Sequence, residues 1–289
     1  MRRVLTLFLV VATCACGGRG APSAHPRDAS VGRDVGSRRP PSSDLALRRL
    51  WGLAPDDVWA VGDHGLVVHF DGRAWRKVPS GTTADLVGMA GRERNEAWIV
   101  GKNGTLLHLT GTTCSSENLR TDAGDSAVPG NADLLDIWVA ADGTVWVAGG
   151  SGGENPIAVL GRREAGRWLF DHDDGQPLTA VWGREPDDVW ARSDDSVIHW
   201  NGRYLLAHPR EKLPNRRGRH GFAGGWTLVD DQALTHPTHP SPPADADQKH
   251  ARRVRDFWAF GPDDVWAAVR TGLLHFDGRA WTEVSPESF

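Results

Sequence analysis

Cysteine is scarce in this 289-residue chain: only Cys14, Cys16 and Cys114 are present. Two of them stand either side of Ala15 near the start, so on count no disulfide framework is available and the fold must stand on packing. Lysine is nearly missing as well (Lys77, Lys102, Lys212 and Lys249), so 33 − 4 = 29 of the basic residues are arginine. That balance reads as the codon usage of a GC-rich genome. The formal net charge is −4, which argues against a nucleic-acid partner, because a backbone reader needs a basic surface. Long apolar runs are missing beyond Val4–Ala12, and no other segment is apolar enough to cross a bilayer. There is no phosphate-binding loop. Tyr204 is the one tyrosine, and methionine occurs twice. Tryptophan runs against this trend with fourteen copies, which indicates one position copied many times.

The N-terminus reads as an export signal. Met1-Arg2-Arg3 is a short positive start, and the apolar stretch Val4–Ala12 is too short for a mature membrane helix. Ala12-Thr13-Cys14-Ala15-Cys16-Gly17-Gly18 follows. This resembles the bacterial lipobox, although Thr13 stands where that motif prefers an aliphatic residue. The resemblance implies a signal peptide over 1–15 and a lipidated N-terminal Cys16, with Cys14 the second choice. Cleavage before Cys16 removes Arg2 and Arg3 and leaves 31 − 37 = −6. Cys114 then has no intramolecular thiol partner; lipidation at Cys14 instead leaves a Cys16–Cys114 pairing open. Residues 16–46 are rich in Gly, Ala, Pro, Ser, Arg and Asp and are expected to form a disordered tether.

From Leu47 onward the chain repeats itself. Leu47–Val78 carries Leu50-Trp51-Gly52, Pro55-Asp56-Asp57-Val58-Trp59 and His69-Phe70-Asp71-Gly72-Arg73-Ala74-Trp75. Val254–Val284 matches nearly throughout, with Pro262-Asp263-Asp264-Val265-Trp266 and His275-Phe276-Asp277-Gly278-Arg279-Ala280-Trp281. A third clear copy holds Pro186-Asp187-Asp188-Val189-Trp190 and His199-Trp200-Asn201-Gly202. Looser copies centre on Trp98 and Trp146, and a degenerate one on Trp226. The second-strand tryptophans therefore fall at Trp59, Trp98, Trp146, Trp190, Trp226 and Trp266, at intervals of 39, 48, 44, 36 and 40 residues. A period of roughly 40–50 residues belongs to propeller blades.

Each unit reads as four short strands: in the first copy 47–51, 58–62, 66–70 and 74–78, with Asp71-Gly72 the strongest hairpin signal. The strands are apolar on both faces, as sheets covered on both sides require. The expected fold is all-β: a single propeller of about six (five to seven) four-stranded blades over 47–289, with an irregular insertion at about 207–253. The repeat resembles the Asp-box (BNR) and photosystem II assembly-factor-like propellers. It lacks the Ser of the usual Ser-x-Asp-x-Gly-x-x-Trp and is one residue shorter between Asp and Trp. The resemblance implies the fold and transfers no activity.

Repetition also sorts the candidate chemistry. His69, His108, His199, His236 and His275 recur on different blades, so they are expected to be structural, each bonding to an adjoining blade. The Asp56-Asp57, Asp187-Asp188 and Asp263-Asp264 pairs recur too and are expected to cap turns. A catalytic pair should break the symmetry, since one substrate needs one site. Asp171-His172-Asp173-Asp174-Gly175 has the carboxylates to grip calcium but lacks the alternating ligand pattern, and reads as a solvated turn. His236 and His239 with Asp245, Asp247 and His250 have transition-metal chemistry in a Pro-rich loop. Arg216-Arg217-Gly218-Arg219-His220 is a basic loop suited to an acidic glycan or lipid headgroup. A sialidase-type site needs a tyrosine nucleophile, and Tyr204 falls where an outer fourth strand is expected.

These readings assign no catalytic residue, metal or cofactor. They lead to a binding or assembly scaffold in the cell envelope, at the outer membrane of a Gram-negative bacterium. Its expected partner is an envelope protein or glycan, with membrane contact through the lipid anchor only. A carbohydrate-active enzyme on the same fold is the alternative.

Overall fold

In the computed structural model, residues 46–117, 119, 128, 132–208, 226–229, 233–243, 253–270 and 272–284 are described. The expected export signal with Cys14 and Cys16, the expected tether, the Arg216–His220 cluster and Asp245, Asp247 and His250 lie outside them. Among the described residues no helix is long and apolar enough to cross a membrane.

The fold is all-β. The first sheet is β1 (Leu47–Ala54), β2 (Asp57–Gly62), β3 (Val67–Phe70) and β4 (Trp75–Lys77). The second is β5 (Leu86–Glu93), β6 (Glu96–Gly101), β7 (Leu106–Thr110) and β8 (Thr113–Ser116). The third is β9 (Asp133–Val139), β10 (Val145–Ser151), β11 (Ile157–Glu164) and β12 (Arg167–Asp174). The fourth is β13 (Ala180–Glu185), β14 (Asp188–Arg192), β15 (Val197–Trp200) and β16 (Leu205–His208). Next comes a two-stranded pair, β17 (Thr227–Val229) and β18 (Ala233–Thr235). The last sheet is β19 (Val254–Gly261), β20 (Asp264–Val269), β21 (Gly272–Phe276) and β22 (Trp281–Val284). All five four-stranded sheets are antiparallel meanders in chain order.

Local chemistry explains the hairpins. The Asp71 carboxylate accepts hydrogen bonds from the Arg73 and Ala74 amides, at 3.0 and 2.9 Å. Those two bonds, with a weaker one from Arg76, hold its pKa down to about 2. Gly72 has φ +82, and a Cβ there would meet the Asp56 Cβ at 2.8 Å, so only glycine fits. Gly202 against Asp187 and Gly278 against Asp263 repeat this contact. The first Asp of each Pro-Asp-Asp therefore abuts a neighbouring turn.

Tryptophans join sheet to sheet. Trp59 packs with Leu86, Ile99 and Leu109 of the second sheet. Trp98 packs with Leu134 and Val147 of the third, and Trp146 with Leu178 and Val189 of the fourth. Trp226 packs with Phe257 and Phe276 of the last sheet. Trp266 then packs with Leu47, Leu50 and Ala60 of the first. Trp59, Trp98 and Trp146 each lie against the unit that follows, Trp226 lies on the last sheet, and Trp266 returns to the first, while Trp190 of the fourth sheet is only partly buried. A sheet apolar on both faces is satisfied only by two such neighbours, and this cyclic packing makes the fold a β-propeller.

Candidate functional site

Two kinds of site residue emerge: those that repeat from blade to blade, and those that occur once.

The repeated set is a carboxylate, tryptophan and histidine cluster within the first, second, fourth and last sheets. Asp57 Oδ1 accepts from Trp59 Nε1 at 3.1 Å and meets His69 Nε2 at 2.8 Å. The His69 ring stacks on Trp59 with centroids 3.9 Å apart. In the fourth sheet Asp188 holds Trp190 and His199 at 3.0 and 2.8 Å, with the rings stacked at 4.0 Å. In the last, His275 meets Asp264 at 2.9 Å and stacks on Trp266. In the second, Glu96 replaces Asp, and His108 meets it at 3.0 Å while stacking on Trp98.

Two expectations are corrected here. The histidines bond to their own blade's second strand, not to an adjoining blade. The second Asp of each pair serves the imidazole, and Asp57 and Asp188 the indole as well, rather than capping a turn. The reason is register: Trp59 pairs directly with His69, so both rings lie on one face above the residue that opens the strand. Burial works against the charged form of Asp188, but hydrogen bonds from Arg184, His199 and Trp190 hold its pKa below the usual carboxylate range.

The third sheet departs from the triad. Thr144 stands at the Asp position, and Arg162 pairs with Trp146 where the others have His. Its guanidinium lies 4.4 Å from the Trp200 ring centroid and 5.9 Å from that of Trp146.

The sixth expected histidine position differs again. His236 lies in the turn after β18, tilted against Trp226 at 5.0 Å. The expected solvated turn is a strand instead: Asp171–Asp174 continue β12. Among the described residues no group of three or more His, Cys, Asp or Glu is placed to hold a metal. Tyr204 is exposed immediately before the outer strand β16.

A variable column of the first strands, with the first-strand tryptophans, converges on a cavity. A cavity of about 360 Å³ is lined by β1, β5, β9 and β13 and by Trp258 of β19. It sits where the first strands end. At one equivalent position, two residues beyond the strand-opening Leu or Val in most blades, the five sheets carry Arg49, Gly88, Asp136, Ala180 and Asp256, paired with Val61, Val100, Ala148, Arg192 and Ala268. Arg49 reaches both carboxylates, with nitrogens 3.7 Å from Asp136 and 3.6 Å from Asp256. Its Nε donates to the Val87 carbonyl at 3.2 Å. Each aspartate also accepts a backbone amide from the following first strand. Val181 N donates to Asp136 at 3.0 Å, and Leu50 N donates to Asp256 at 2.9 Å. Both carboxylates are buried, where they persist as charges only because they are paired and hydrogen-bonded.

Indoles wall the cavity. Trp51, Trp138, Trp182 and Trp258 line it, with Arg92 and Arg184 at the rim. A Cβ on Gly91 would lie 2.9 Å from the Trp51 ring, and one on Gly183 would lie 2.5 Å from that of Trp138. Gly91 and Gly183 therefore let the Trp51 and Trp138 rings approach the next first strand closely. Sequence reading singled out Trp59-type and His69-type positions and missed this network. The available signal was that one column of the repeat varies between Arg, Gly, Asp and Ala while its neighbours stay apolar.

No protein-family model matches the chain, and no curated protein matches it. Several solved structures resemble it. YCF48 bound to D1 peptide is 19% identical, with 83% of this chain and 80% of that one covered at a TM-score of 0.45. YCF48 from Cyanidioschyzon merolae is 17% identical, covering 85% and 86% at 0.44. The WD40 β-propeller domain of Doa1 is 12% identical, covering 83% of each chain at 0.44. The propeller assignment rests on this chain's own sheets and their cyclic packing.

Proposed function

We propose that this chain is a non-catalytic binding propeller of the bacterial cell envelope that takes its partner, an envelope protein or glycan, at the axial cavity. One observation carries the reading. Asp136, which lines the cavity, and Asp256, at the same position of another first strand, are both engaged, each by Arg49 and by a backbone amide. A glycosidase-type pair needs one carboxyl to hold a proton and the other to attack or to activate water. Asp136 and Asp256 instead tie neighbouring first strands together. What faces the opening is mostly indole and guanidinium, groups that hold ligands without transforming them. The blade count belongs to the same proposal: about six positions, with β17–β18 the remnant of the fifth. The envelope address comes from the N-terminal sequence, with Cys16 lipidated and a tether to residue 46.

The test uses the full chain as bait against envelope extract, beside Trp138→Ala, and assays turnover of envelope polysaccharides. The expected result is one stoichiometric partner, lost in Trp138→Ala, with no product formed. Polysaccharide cleavage that disappears in Asp136→Asn would replace this reading with the enzyme. Membrane fractionation that persists in Cys16→Ser would remove the lipid-anchor assignment.

A further inference from the structure

The indoles around the axial cavity leave one gap. Opposite the second-strand tryptophan the first strands carry Trp51, Trp138, Trp182 and Trp258, but the second sheet carries Ala90 opposite Trp98. The receiving side agrees. Trp51 and Trp138 lie close to Gly91 and Gly183 of the next sheet. The matching residue of the third sheet, which has no indole to receive, is Val139.

At this gap the axial cavity, of about 360 Å³, meets a second hollow of about 200 Å³ between the second and third sheets. Gly91, Arg92, Val139 and Ala141 line both. Beyond Arg92 the lining turns acidic, with Glu93, Glu96 and Asp142. His108 meets Glu96 at 3.0 Å, and Asp142 accepts the Thr144 amide at 2.9 Å. Arg92 and Glu93 are exposed, and among the described residues neither makes an ion pair. Trp98 lines the same hollow and gives an apolar wall to the stem of a long basic side chain.

We propose that the two cavities form one slot for an extended, basic polypeptide segment, which seats an apolar side chain at the axial indoles and a lysine or arginine among Glu93, Glu96 and Asp142. The proposal rests on the axial cavity being where the partner binds, and it chooses protein over glycan. The reason is the change of chemistry along the slot, from indole to guanidinium to carboxylate. A polypeptide changes side chain at every residue and offers a backbone carbonyl to Arg92 between them. An acidic polysaccharide carries the sign of the outer hollow and is repelled, and an uncharged one brings no cation to it. The net charge of −4 draws a basic partner at longer range as well.

Selection of a phage-displayed pool of random decapeptides on the immobilised full chain tests the slot. Peptides with Lys or Arg a few positions from an aromatic residue or Leu should be enriched about tenfold or more. Ala90→Trp with Val139→Gly copies the other blades and closes the gap, so the enrichment should vanish. Glu93→Lys changes an exposed side chain and should remove the preference for Lys and Arg. A pool without that pattern on the unmodified chain would overturn the proposal, and so would a pattern unchanged in Glu93→Lys. Enrichment lost in Trp138→Ala but kept when the gap is closed would overturn the slot and leave the axial reading standing. Enrichment kept in both would overturn the two together.

Discussion

The first and third sheets share strand order, antiparallel pairing and a fully buried second-strand tryptophan, yet they anchor that tryptophan by different chemistry. In the first, Asp57 ties Trp59 to His69. In the third, Arg162 covers Trp146 and no carboxylate joins them. The third sheet compensates with length. Its β11–β12 ladder runs through eight residue pairs, against three for β3–β4. The difference teaches that the wedge between blades demands a flat, polarisable cap over the indole, while the polar tether beneath is one of several ways to hold it. A short outer hairpin needs the triad, and a long one holds its register through the ladder.

The largest effect tests the part the two sheets share. Trp59→Ala and Trp146→Ala should each lose about 3–5 kcal/mol, because each leaves a cavity between blades. Denaturant unfolding monitored by circular dichroism measures it. A loss at Trp146 several-fold smaller than at Trp59 would break the equivalence of the two wedges.

The next test addresses the part they do not share. Asp57→Ala removes the acceptor of a buried indole N–H and of an imidazole and should cost roughly 1–3 kcal/mol. Thr144→Val, at the matching position of the third sheet, should cost less than about 1 kcal/mol, since no buried ring depends on it. Equal losses in the same unfolding measurement would mean that the third sheet has a tether not visible in its geometry.

The smallest effect concerns the hairpin ends. The first sheet turns through Asp71-Gly72, with glycine at positive φ, but the third turns through Ala165-Gly166, with Ala165 at φ +49. Alanine in the left-handed region carries a penalty of about 1 kcal/mol. Ala165→Gly should therefore raise the unfolding midpoint slightly, by up to about 1 kcal/mol in stability. A decrease would show that the long β11–β12 hairpin relies on that residue for more than its turn.

Much of the architecture was legible from local pattern. Strand positions, the Asp-Gly and Asn-Gly hairpins and the tryptophan period all lie within about forty residues, and each reports a preference the backbone expresses without distant help. The expected strands 47–51, 58–62, 66–70 and 74–78 fall on β1 to β4 to within a few residues. The partners of the histidines were misread because side-chain direction depends on register, which pairs Trp59 with His69 and turns both toward Asp57. The axial network was not legible at all. Leu50 and Asp256 are 206 residues apart, and no spacing rule joins them.

The amino-acid order alone determined that short two-faced strands recur, that each unit carries more indole than it can bury, and that copies must therefore stack. The tertiary structure alone decided that the once-varying column Arg49, Gly88, Asp136, Ala180 and Asp256 meets at one axis. The physical reason is that hydrogen bonds along a hairpin are chosen by neighbours in the chain. A buried charge is tolerated only where closure of the ring brings its counter-charge and its amide donors within reach.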